Sequence, residues 1–247
     1  MAVSSPLSFD PRQVPVSRVD DDLPRVPHAH LRPEALRQRF ASPPDWSPEV
    51  VREPRFGERA PAQAAVLIPI VLRDAGAGGP TILLTLRTAH LSTHSGQIAF
   101  PGGKVDAEDP SVQAAALREA HEEVGLSPER VQVIGELPIY VTGTSFLVTP
   151  VVGLVEPNFT LNPNPGEVAD VFEVPLAFLM NPAHHRRHTV DWQSGRREWF
   201  SMPYTEHRLN GQGLIEPVER FIWGATAGML RNFYRFLLAE HAASEVQ

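Results

Sequence analysis

Apolar and polar positions change rhythm several times along the chain, and each rhythm predicts an element. Ala64 to Arg73 (AAVLIPIVLR) and Thr81 to Arg87 (TILLTLR) are β-rich runs separated by the turn formers of Asp74 to Pro80, so a hairpin or neighbouring strand pair is expected. Pro110 to Val124 reads as a helix, with Asp109 as N-cap, Pro110 at the first helical position and Gly125 as the stop. Val131 to Thr142 and Leu147 to Val155 are strand-like, and Glu167 to Val174 leads into a short helix started by Pro175. His184 to Trp192 and Arg197 to His207 form the arms of a hairpin around Gln193-Ser194-Gly195. A long amphipathic helix is expected from Pro217 to His241; its apolar positions, including Phe221, Ile222, Phe233 and Leu237, suit packing on a sheet better than a membrane anchor. Strands interleaved with two substantial helices predict a mixed sheet flanked by helices, in the α/β or α+β range.

The first sixty residues have a different texture. Eleven of the chain's 25 prolines fall within residues 1–61, and proline lacks an N–H and restricts its predecessor, so long helices and central strands are excluded there. Pro33 to Phe40 is the one helix candidate, with Leu36 and Phe40 one turn apart. The expected organisation is a proline-rich extension over 1–61, draped over the core or partly disordered, followed by one catalytic-sized domain over 62–242.

Composition narrows the picture. With 247 residues, 42% hydrophobic content and a mean hydropathy of −0.17, the chain can bury a full core without any membrane-length apolar run. A net charge of −7 argues against nucleic acid as the main partner. The absence of cysteine removes disulfides, thiolate catalysis and cysteine-ligated zinc, and with no apolar leader pattern at Met1 the cytoplasm is the expected address. Every basic residue is arginine except Lys104.

Chemistry concentrates on the helix ending Leu117-Arg118-Glu119-Ala120-His121-Glu122-Glu123-Val124-Gly125-Leu126. Glu119, Glu122 and Glu123 fall at i, i+3 and i+4 and share a face, so three carboxylates are expected to converge. Like charges at this spacing, in a last turn where the macrodipole disfavours anions, destabilise the helix. Mg²⁺ or Mn²⁺ would convert the repulsion into a site; a solvated acidic face with an Arg118–Glu122 ion pair is the alternative. Upstream, Phe100-Pro101-Gly102-Gly103-Lys104-Val105-Asp106 brings backbone close to a metal or phosphate without Cβ obstruction. His184, His185 and His188 lack a completing acid for zinc. Arg186, Arg187, Arg196 and Arg197 face each other across the expected hairpin, either as a charged sheet edge or as an attractor for a phosphate.

Loop, helix and acidic cluster together resemble the Nudix box, a glycine and an acidic residue upstream of Arg-Glu-apolar-x-Glu-Glu-x-Gly-apolar. Arg118 to Leu126 fits throughout. A one-residue insertion after Gly103 restores the first half and leaves Glu108 or Asp109 in the place of the box's first acidic residue. The preceding stretch, Leu83 to Gly103, resembles the additional signature of the coenzyme A pyrophosphatase subgroup, LLTxR followed later by FPGG. Thr88 replaces the usual Ser or Ala, and Ser92 stands where a second arginine is expected. Asn164 to Val168 and Ile222 to Ala227 are more loosely similar to late segments of the same proteins.

The resemblance implies an α/β/α Nudix sandwich that hydrolyses a diphosphate with Mg²⁺ or Mn²⁺. The implied substrate is coenzyme A, or an acyl or oxidised form, split into 3′,5′-ADP and 4′-phosphopantetheine. ADP-ribose, NADH or nucleoside triphosphates are alternative substrates within the family, and a silent nucleotide-binding domain is the alternative outside enzymes. Glu119 and Glu123 carry over as principal metal ligands, Glu122 as a further ligand, and Glu123, Glu122 or Glu167 as the base. Arg87, Gly102, Gly103 and Lys104 are the expected substrate contacts, with Lys104 offering a point charge to a diphosphate and Arg118 anchoring helix to loop. No membrane or nucleic-acid partner is implied, and a homodimer is left open.

Overall fold

The computed structural model describes residues 10–54, 60–74, 76, 78–90, 95–192 and 195–240. The Ser92 position, the Gln193-Ser194 turn and His241 lie outside the described residues.

The central strands β2 (Ala62–Val71) and β8 (Phe146–Val155) pair in parallel along their whole length, from Ala62 opposite Phe146 to Val71 opposite Val155. Both faces of these strands are covered, which is why their sequences read as continuous apolar runs. Ala65, Leu67 and Val71 point to one side, where α2 (Val112–Val124) packs with Ala115, Ala116, Ala120 and Val124. Ile68 and Ile70 point to the other, against Leu230 and Phe233 of α4 (Gly224–Leu238). Around this pair stand β3 (Thr81–Arg87), β4 (Ile98–Ala99), β5 (Gly102–Lys104), β6 (Val131–Glu136), β7 (Tyr140–Val141) and β9 (Val168–Pro175), giving a mixed sheet between helical layers. The short α3 (Leu176–Leu179) follows β9, as its leading proline predicts. A second, antiparallel sheet runs β1 (Val16–Val19), β10 (Arg186–Trp192), β11 (Gly195–Leu209), β12 (Ile215–Trp223).

The expected β2–β3 pair and the Gly125 stop hold, while the cap of α2 and the start of the last helix are corrected. β2 and β3 form a hairpin only at their turn-proximal ends, Ile70–Ile82 and Val71–Thr81; beyond that β9 pairs with β3 and β5 takes the edge of β2. The cap of α2 is Ser111, whose Oγ accepts from Ala114 N–H at 3.1 Å, because the Asp109 carboxylate is engaged elsewhere. Gly125 closes the helix in the left-handed conformation, at φ +72°. The expected helix from Pro217 begins only at Gly224: residues 215–223 pair with β11, from Leu209 opposite Ile215 to Ser201 opposite Trp223. Phe221 and Ile222 suit either period, and a partner strand far from a local helix decided between them.

The N-terminal segment contributes to the interior. β1 lies on the edge strand β10, α1 (Pro33–Ala41) buries Leu36, and Val26 and Leu31 join the main core. Asp20, fully buried, receives Arg187 at 2.8 Å and Arg231 at 3.0 Å; Glu49 receives the same two arginines at 2.7 Å each.

His185 lies beside this network. Its Nε2–H donates to the Leu179 carbonyl at 2.7 Å and its Nδ1 accepts from Arg231 at 3.1 Å, so the neutral ring satisfies both partners. Burial pushes its pKa down to about 4, with Arg231 adding to the effect and the Leu179 carbonyl and Asp20 opposing it. The unfolded chain therefore binds a proton that the folded chain refuses between the ordinary value near 6.5 and about 4. The stability from this residue is complete above pH 6.5 and declines by about 3 kcal/mol as pH falls to 4. Urea midpoints should fall with acidification across that window, and more steeply in the wild type than in His185→Gln; equal slopes would refute the assignment.

Candidate active site

The site is assembled at the junction of β3, β5 and α2. The glycine pair permits the approach of these elements. A Cβ on Gly102 would collide with the Ala65 carbonyl on β2, and one on Gly103 would lie 2.5 Å from the carboxylate of Glu119. At Gly102 only glycine fits, because the contact is with backbone; at Gly103 a Cβ would displace the Glu119 carboxylate.

Glu123 is the centre of the arrangement. Its side chain is 4% exposed; one carboxylate oxygen accepts from the Gly102 N–H at 3.1 Å and the other from Arg87 at 3.1 Å. Burial pushes its carboxyl up to about 7, helped by the negative charges of Glu167 and Glu119 and opposed by Gly102 N–H and Arg87. Arg87 keeps a buried Nε with no hydrogen-bond partner among the described residues.

Arg118 organises the opposite edge. It forms a bidentate pair with Asp109, at 2.9 and 2.8 Å, and donates to the Lys104 carbonyl at 3.1 Å, which fastens loop 104–109 to the helix. This holds Asp109 well below the ordinary carboxylate range, at about 2. The same guanidinium reaches Glu119 and Glu122, each at 3.1 Å.

The expected convergence of three carboxylates is corrected here. Among the described residues no group of three acidic or imidazole side chains stands converged for a metal. Glu119 and Glu122 turn to Arg118 and Glu123 to Arg87, since each carboxylate gains more from a guanidinium than from meeting a like charge. Glu122 is the outermost, 57% exposed. Burial also raises the Glu119 carboxyl, with Arg118 opposing. The donor chemistry fits a hard divalent cation: carboxylate oxygens, two of them raised by burial, with glycine backbone against one of them and no sulfur or imidazole in the set.

Glu167 enters from the segment between β8 and β9. Asn162 and Asn164 N–H groups donate to the Val124 and Glu123 carbonyls at 2.9 Å each, so this segment caps the end of α2. The Thr88 N–H donates to the Glu167 carbonyl at 2.9 Å. These contacts set Glu167 close enough to Glu123 to raise its carboxyl. The only side-chain hydrogen bond recorded for Glu167 among the described residues is a long one from Asn164, at 3.4 Å.

Arg87, Gly102, Gly103 and Lys104 line a cleft of about 1000 Å³ between the two sheets. The arginine pairs of the β10–β11 hairpin do not face each other: Arg187 stands opposite Phe200, and Arg196 opposite Asp191. Arg187 serves the Asp20–Glu49 network, while Arg196 and Arg197 also line the cleft. His184 stacks on Phe178, and His188 bonds Ser201 Oγ at 2.7 Å and the Val14 carbonyl, so with His185 these rings are structural. Sequence reading misses the wall of this cleft formed by residues 49–54, which carry no motif.

A NUDIX domain profile matches residues 61–212, more than half of the chain. The chain belongs to the Nudix hydrolase family. The Nudix hydrolase NudL of Citrobacter koseri, itself uncharacterized, is 46% identical over 173 residues, covering 69% of this chain and 80% of that one. The NudL protein of an Enterobacter species is 45% identical over the same shares. Among solved structures, a MutT/nudix family protein from Enterococcus faecalis aligns with a TM-score of 0.41 at 15% identity, covering 72% of this chain and 63% of that one. The Nudix fold accounts for the mixed sheet between α2 and α4. No helix among the described residues is long and apolar enough to cross a membrane.

Proposed function

We propose that this Nudix hydrolase is a metal-dependent diphosphatase that splits coenzyme A, or an acyl or oxidised form of it, into 3′,5′-ADP and 4′-phosphopantetheine or its derivative. The observation that carries the reading is the meeting of two sequence signatures at one carboxylate. Arg87 comes from the LLTLR stretch, Gly102 from FPGG and Glu123 from the Nudix box, and both of the first two bond the third. A signature that resembles the coenzyme A subgroup is thereby built into the acidic centre rather than placed elsewhere on the surface.

In this reading Glu119 and Glu123 would hold Mg²⁺ or Mn²⁺, with Glu122 as a further ligand, and the cation would supply charge neutralisation at the diphosphate and activation of water. Arg87 and Lys104, which line the cleft, bind phosphate oxygens, and Gly102 and Gly103 let the chain approach them. Glu167 takes the proton of the attacking water; the water oxygen bonds to one phosphorus and the bridging P–O bond breaks. Glu167 suits this role because its carboxylate, unlike that of Glu123, is not held by an arginine among the described residues.

Incubation of the purified protein with Mn²⁺ and a panel of coenzyme A, acetyl-coenzyme A, ADP-ribose, NADH and ATP, with products identified, tests the assignment. Release of 3′,5′-ADP from coenzyme A is the expected outcome, and Glu167→Gln should slow it about 10²-fold. Cleavage of ADP-ribose or NADH with coenzyme A untouched would overturn the substrate.

A further inference from the structure

The cleft has a charge balance opposite to that of the chain. Against a net charge of −7 overall, its lining among the described residues carries six cations, Arg52, Arg87, Lys104, Arg187, Arg196 and Arg197, and three carboxylates, Glu49, Glu53 and Glu198; Arg87, Arg187 and Arg196 are engaged in ion pairs. Such a cleft favours a ligand with several negative charges. Of these described cations, Arg52 alone lies outside the matched domain of residues 61–212.

Arg52 sits on a strap, residues 49–54, that has almost no regular structure and is nevertheless fixed on both sides. Upstream, Glu49 binds Arg187 and Arg231, and Val50 is clamped by Asn232, which accepts from its N–H at 2.9 Å and donates to its carbonyl at 2.7 Å. Downstream, the Glu53 carboxylate accepts from Tyr140 Oη–H at 2.7 Å and Gly143 N–H at 2.8 Å. Val141 is bracketed by the strap backbone, donating to the Val51 carbonyl at 3.0 Å and accepting from Glu53 N–H at 2.8 Å, with Arg52 bridged opposite it. Arg52 itself is exposed, and its guanidinium forms no ion pair among the described residues. Glu49, Val50 and Glu53 are committed to holding the strap, and Arg52 is the one cation it contributes to the cleft lining, exposed and not required for packing.

We propose that Arg52 binds a second anionic group of the substrate, a phosphate monoester carried away from the diphosphate. The proposal rests on the diphosphatase reading and deepens it, because it narrows the substrate class to nucleoside-diphosphate-linked compounds bearing a further phosphate. A guanidinium suits a phosphate monoester by its paired, planar donors.

Coenzyme A and dephospho-coenzyme A differ only in that phosphate, so the ratio of their kcat/KM values reads the contact. The wild type should prefer coenzyme A by about tenfold or more. In Arg52→Gln the ratio should fall close to one, and in Arg52→Lys to an intermediate value, since a point charge keeps only part of a bidentate contact. A ratio that Arg52→Gln leaves unchanged, with both compounds hydrolysed, overturns the role of Arg52 and leaves the diphosphatase reading standing. Hydrolysis of neither compound by the wild type overturns both.

Discussion

Glu123→Gln should lower kcat/KM about 10³-fold while the protein stays folded. The size of the effect follows from the position of the residue. Its carboxylate is bonded by Gly102 N–H and Arg87 and carries a charge that burial makes costly, which pushes its carboxyl up to about 7. A buried anion disfavoured by its surroundings is poised to gain from a divalent cation, and an amide of the same shape cannot replace that charge. Stability should fall only modestly: glutamine retains the volume and sheds a charge that is costly to desolvate, but its single oxygen keeps only one of the hydrogen bonds from Gly102 N–H and Arg87. Turnover and Mn²⁺ affinity, measured beside a thermal melt, check both halves. More than a tenth of wild-type turnover in a folded variant would remove Glu123 from the metal site.

Asp20→Ala should destabilise the protein by about 3–5 kcal/mol, the range for breaking a buried ion pair, which lowers Tm by about 6–20 °C for a chain of this size. Asp20 is fully buried and Arg231, at 1% exposure, is nearly so, so loss of the carboxylate leaves an arginine in the interior with less compensation. Glu49 still pairs with Arg231 and Arg187, which places the expected loss toward the lower end. Arg231→Met in the Asp20→Ala background should recover part of the stability, since it removes the stranded charge, and a double-mutant cycle measures the coupling. A Tm change under 2 °C in Asp20→Ala would show that the network contributes no net stability. The network joins the segment before the Nudix domain to β10 and α4, so the same melt reports whether residues 10–54 act as part of the core.

The acidic helix and its glycine stop were legible because their signals are local: a face repeats every three or four residues, and a left-handed cap favours glycine. The central strands were equally legible as long apolar runs. Boundaries were less so. Asp109 is a sound cap by type, and it lost that role to Ser111 because Arg118, nine residues away, claims its carboxylate. Residues 215–223 carry apolar positions that suit either a helix or a strand, and the choice came from pairing with β11.

The sequence by itself determined the family, the Arg118-to-Leu126 acidic helix and the glycine pair, since those features reside in residue type and spacing along one stretch. Tertiary structure alone decided which charge each glutamate meets, how Arg87 and Gly102 come to share Glu123, and which arginines reach the cleft. It also made residues 49–54 a wall of that cleft, by hydrogen bonds to Val141, Gly143 and Asn232 more than 85 residues further along the chain. A proline-rich segment has no periodicity from which such partners can be read; they are set by where the sheets and α4 place their unpaired backbone and amide groups.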